Sequence, residues 1–140
     1  MQAEQLKQLN ERFTDEVFRR RRVDAVDDLL TDDFVEHTPA PGQATDRQGA
    51  KDFIGMMLQA FPDLDFSIDR QVAEGDTVAS VGMMTGTHKG EFMGVPATGR
   101  TVSVQVMDTG RVRNGRFSEH WGLVDVPALM GQLGMPSPMQ

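Results

Sequence analysis

Residues 100–125, RTVSVQVMDTGRVRNGRFSEHWGLVD, constrain this chain most: two alternating runs meet at Arg113-Asn114-Gly115. Val102, Val104, Val106 and Val112 share one parity, while Ser103, Gln105, Thr109 and Arg111 share the other, the period-two signature of a strand with one buried face. Asn-Gly can close a two-residue hairpin loop, but Arg-Asn-Gly also suits a three-residue loop with Gly115 in the left-handed position of a bulge. The longer loop keeps the valine face coherent across both arms and is the expected register: Val112 opposite Arg116, Asp108 opposite His120, Val106 opposite Gly122 and Val104 opposite Val124. The shorter loop would place Asp108 opposite Trp121.

The rest of the chain must cover that face. Leu6, Leu9, Phe13, Val17 and Phe18 recur at helical spacing over residues 4–20, predicting an amphipathic helix laid over a sheet. A second short helix is expected over 23–30, capped at Asp24, then a short strand, Phe34-Val35-Glu36-His37, ended by Pro39 and Pro41. A core helix follows from Asp46 to about Phe61, where Pro62 stops it. From Leu64 the period changes to two, and Glu74-Gly75-Asp76 turns the chain into a return arm over 77–88. The Gly/Pro-rich connection over 90–99 can border a pocket, and a last helix over 126–133 ends at Gly134, Pro136 and Pro138. The predicted fold is α+β: a strongly curved antiparallel sheet of two hairpins with helices on one face, enclosing a cone-shaped cavity.

Composition narrows the function. A chain of 140 residues suits one domain spanning 1–140. Its 14 basic against 21 acidic residues, net −7, disfavour nucleic acid, and Arg19 to Arg22 read as a solvated helix end favoured by the C-terminal dipole. The absence of cysteine excludes disulfides, a thiolate nucleophile and zinc–thiolate sites. The opening MQAEQLKQLN lacks signal-peptide character, and no apolar run approaches the roughly 18 residues that span a bilayer, so a cytoplasmic location without membrane contact is expected.

Asp108 and His120 are the candidate catalytic pair, a carboxylate and an imidazole on a valine-lined wall. Burial lowers the pKa of such a histidine and the carboxylate raises it; the sequence leaves the balance open. His37 and His88 end strands, where pocket mouths lie, and with Val106, Gly122 and Met93 they form the candidate substrate-binding set. The three histidines share no H-x-H or H-x-x-x-H spacing, so a metal site is not expected. Trp121, Leu123 and Phe117 fall on the parity opposite His120, beside Met107, predicting an apolar outer face for a homodimer. The ten methionines read chiefly as core filler.

The segments 33–37, 61–64, 74–76, 86–94, 119–121, Asp125 and 132–134, reading DFVEH, FPDL, EGD, GTHKGEFMG, EHW, D and QLG, together resemble the SnoaL-like polyketide cyclases and ester cyclases of the nuclear transport factor two-like superfamily. The resemblance covers nearly the whole chain. It implies a cone-shaped α+β barrel, commonly dimeric or tetrameric, that binds a small, mostly apolar molecule and, in the characterised cyclases, closes a ring by an intramolecular aldol step without a cofactor. It also implies a general-base Asp two residues after the His of the last strand, facing a second His across the strand pair. Here Gly122 stands at the first position and Asp108 at the second. Two functions follow: cofactor-free acid/base chemistry on a small apolar carbonyl compound, or a non-catalytic binding module, an alternative suggested by Gly122.

Overall fold

A computed structural model describes residues 1–135. Pro136 and Pro138, expected to end the chain's ordered part, lie outside the described residues. The elements are α1 (Ala3–Phe13), which continues as a π-helical segment over Thr14–Arg19, a 3₁₀ turn over Val23–Ala25 leading into α2 (Val26–Leu29), β1 (Leu30–Glu36), α3 (Arg47–Ala60), β2 (Asp65–Phe66), β3 (Arg70–Glu74), β4 (Thr77–Thr87), β5 (Thr101–Arg113), β6 (Arg116–Val124) and α4 (Val126–Gln132).

The strands form one curved sheet in the order β1-β6-β5-β4-β2, with β3 also paired to β4. It is therefore a mixed sheet: β1, expected only as a four-residue strand, begins at Leu30 and runs parallel to β6. The first arm of the other hairpin is split into β2 and β3, because the backbone of Ser67 crosses Gly82 so closely that a Cβ there would lie 1.8 Å from the Ser67 carbonyl oxygen. Asp46 caps α3 as expected, accepting from the Gly49 N–H at 2.8 Å. The expected Asp24 cap is not made, since Arg22 occupies the N-cap position and no side chain bonds there. Nor is the arginine run simply solvated: Arg21 takes φ 58° and donates to the carbonyls of Phe18, Pro62 and Leu64.

The central hairpin corrects the expected register. Asn114 and Gly115 both have positive φ, 54° and 79°, the requirement of a two-residue type I′ loop, so Arg113 pairs with Arg116 and Val112 with Phe117. A bulge at Ser118 then shifts the ladder by one, giving Arg111 opposite Glu119, Gly110 opposite His120, Asp108 opposite Gly122 and Val106 opposite Val124. Neither loop predicts that outcome alone. The bulge also reverses the parity of Phe117, which is not on the outer face but buried beside Val112, edge-on to Phe13 at 6.0 Å. Gly110 makes the room, because a Cβ there would lie 2.6 Å from the Phe117 ring.

The inward side chains of β5 divide the core. Val112 belongs to a cluster with α1, α2 and β1, including Leu6, Leu9, Val17, Leu29 and Phe34. Val102, Val104 and Val106 belong to a second, with Met57, Phe61, Leu129 and Leu133. Between these clusters, on the same face, the strand carries Asp108.

Candidate active site

The chemistry-bearing side chains meet in that seam. Asp108 and His120 are not direct cross-strand partners, yet they touch on the diagonal, with His120 Nε2 2.8 Å from Asp108 Oδ1. The other ring nitrogen, Nδ1, lies 2.7 Å from Oε1 of Glu36, which is paired to His120 across the parallel β1–β6 ladder. With both carboxylates ionised, each nitrogen of the imidazole between them donates, and the ring is an imidazolium. Burial pulls the His120 pKa down, but the hydrogen bonds and charges of Asp108 and Glu36 outweigh it and push the pKa up to about 9. The balance that sequence left open thus falls to the carboxylates.

Glu36 was not among the residues singled out from sequence. Its signal was parity: in Phe34-Val35-Glu36-His37 the glutamate shares the inward face with Phe34, and its side chain is only 10 % exposed, against 34 % for His120 and 42 % for Asp108. Burial pushes the Glu36 pKa up, but the His120 bond and charge, with bonds from Thr38, hold it below the ordinary value. Thr38 donates to Glu36 Oε2 from both its N–H, at 3.2 Å, and its hydroxyl, at 3.1 Å. The same hydroxyl oxygen accepts the Gly122 N–H at 2.8 Å. A continuous chain thereby runs Gly122–Thr38–Glu36–His120–Asp108, fixing the ring at one end and leaving Asp108 the more exposed of the two carboxylates.

The other expected site residues are dispersed. Val106 is buried two residues before Asp108 on the same face, and Gly122 faces Asp108 directly. His37, expected at the pocket, instead lies on the outer face, where it stacks on Trp121 with ring centroids 4.4 Å apart and bonds Glu119 at 3.0 Å; alternation along β1 sends it opposite to Glu36. His88 is fully buried, with Nδ1 accepting from the Thr98 N–H at 3.2 Å, and its Nε2 has no partner among the described residues. Met93 is exposed at the tip of a tight turn between Phe92 and Val95, with φ 49°. Two open hollows, of about 620 and 420 Å³, lie beside the N-terminal helices around Arg22 and Arg19, and neither borders Asp108 or His120.

The curved sheet with helices packed on it defines an α+β fold class. The profile of the SnoaL-like polyketide cyclase family matches residues 8–133, and the chain belongs to that family. Solved structures agree. TsrD from Streptomyces laurentii is 26 % identical with TM-score 0.87, covering 97 % of this chain and 99 % of its own. IdmH from Streptomyces antibioticus, a candidate polyketide cyclase, is 32 % identical with TM-score 0.81 over 93 % of this chain and 99 % of its own. AclR from Streptomyces galilaeus, a candidate hydroxylase, is 28 % identical with TM-score 0.85 over 96 % of this chain and 100 % of its own. A search of curated proteins finds no match. No helix among the described residues is long and apolar enough to cross a membrane.

Proposed function

We propose that the protein performs cofactor-free acid/base chemistry, intramolecular aldol cyclisation foremost, on a small apolar carbonyl compound. The observation that carries this reading is the Glu36–His120–Asp108 chain: a half-exposed carboxylate held on an imidazolium, in the seam between two apolar clusters. Asp108, with Oδ1 tied to His120, presents its other oxygen as the general base and takes a proton from the carbon beside a carbonyl. The carbanion's electron pair forms the new C–C bond to a second carbonyl carbon of the same molecule, whose π pair moves to oxygen. Once Asp108 is neutral its bond from His120 loses charge assistance, so the Nε2–H can turn to that developing oxyanion. The proton held by Asp108 then completes the hydroxyl. Product and substrate are isomers, so the balance needs no oxidant or external group.

The experiment follows the first step alone. In D₂O with a panel of apolar 1,3-dicarbonyl compounds, the protein is expected to accelerate exchange of the activated C–H, and Asp108→Asn to abolish the acceleration. A ligand that binds with no exchange by the wild type would favour the binding-module alternative.

The assembly we propose is a homodimer in the cytoplasm, through the outer sheet face. There Trp121, Leu123 and Met107 are exposed, Leu123 at 71 %, although Phe117, expected among them, is in the core. Leu123→Asp is expected to shift a sedimenting dimer to monomer; a wild type that sediments as a monomer at high micromolar concentration would rule this surface out.

A further inference from the structure

Glycine inside a strand is less favourable than alanine, and it often marks a place where another group approaches closely. Gly122 lies within β6 and its φ is outside the left-handed region, so its backbone conformation does not require glycine. The space around it does. A Cβ at 122 would lie 2.7 Å from Asp108 Oδ1, 2.7 Å from His120 Cε1 and 3.1 Å from His120 Nε2. All three atoms belong to the acid–base contact, and each of these three nearest neighbours is a side-chain atom. The volume a side chain would occupy at 122 is the volume through which Asp108, directly opposite in the ladder, reaches the ring of His120.

We propose that Gly122 is a positioning residue, whose missing side chain admits the Asp108 carboxylate onto the ring of His120. As a role in a reaction, this rests on Asp108 being the base. The geometric claim does not, and it can be read without any substrate. Because the crowded atoms are side-chain ends, Gly122→Ala is expected to fold and to push Asp108 and His120 apart rather than to disrupt the sheet. The Gly122 N–H bond to Thr38 survives, since it uses the backbone.

The test is an NMR titration of the His120 ring in wild type, Gly122→Ala, Asp108→Gly and the double variant. Gly131→Ala serves as a control, because a Cβ there meets nothing within 4 Å. Gly122→Ala is expected to lower the His120 midpoint by about one pH unit or more, the size of shift one lost charged partner produces. In the Asp108→Gly background the same change is expected to move the midpoint little, because the ring can slide into the vacated space, and Gly131→Ala to move it not at all. A Gly122→Ala midpoint still at the wild-type value, or an equal drop in both backgrounds, would overturn the proposal. Should Gly122→Ala fail to fold, the double variant decides: recovery of folding supports the proposal, and continued failure overturns it. If the titrations come out as expected but wild type catalyses no C–H exchange, the reaction assigned to Asp108 fails and the positioning geometry stands.

Discussion

Asp108→Asn is expected to lower proton abstraction by about 10²–10⁴-fold, the range contributed by a positioned general base, with the fold intact. The substitution is close to isosteric, and an amide oxygen can still accept from His120 Nε2, so the ring stays where Glu36 holds it. What disappears is the negative oxygen that accepts the proton. The loss should fall on kcat with KM little changed, because a non-reacting amide of the same shape alters transition-state interactions more than substrate binding. A decrease of less than about tenfold in a folded Asp108→Asn variant would assign the proton transfer to another group. Parallel measurement of Glu36→Gln separates the base from its support: the variant keeps Asp108 and weakens only the clamp on the far side of the ring.

Phe117→Ala is expected to cost about 3–5 kcal/mol of unfolding free energy, the typical loss when a core aromatic is truncated. The ring is buried, packs edge-on against Phe13 and covers Gly110, so its removal opens a hole at the junction of α1 with β5 and β6. Had Phe117 stood on the outer face with Trp121, as simple alternation implies, truncation would cost within about 0.5 kcal/mol, the usual range for surface positions. Urea denaturation thus reads the bulge at Ser118 as an energy. A cost below about 1 kcal/mol would place Phe117 outside and restore the unbulged register.

These two residues also show how far the sequence could be read. The alternating valines of β5 announce a strand with one buried face, and all four of them are buried. The three-residue loop pairs Asp108 with His120 directly; the bulged register does not, yet they touch because long side chains on one face reach diagonal neighbours as well as direct ones. The bulge left no local mark: Ser118 is an ordinary strand residue whose effect emerges only when Phe117 must bury over Gly110. Glu36 was out of reach for a different reason. It lies 84 residues from His120, in a short run whose parallel pairing with β6 is a tertiary event that no hairpin rule signals. Its one legible trait was a charge on the same parity as Phe34. His37 was misplaced by the same short run, since a strand of four residues says little about which of its two faces is inside.

Gly122 connects the family pattern to this chain's own geometry. Relative to the pattern of a base two residues past the histidine, the carboxylate comes from β5, at the position facing that glycine. Of the two carboxylates on His120, Asp108 is the more exposed.

Titration of the His120 ring by NMR in the wild-type protein reads directly whether it is a doubly donating imidazolium clamped between Glu36 and Asp108. The expected midpoint is about 9, with both ring nitrogens protonated at pH 7. Loss of the proton as pH rises through that value should weaken the bonds to both carboxylates. A midpoint at or below the ordinary histidine value of about 6.5, with a single protonated nitrogen at pH 7, would contradict it.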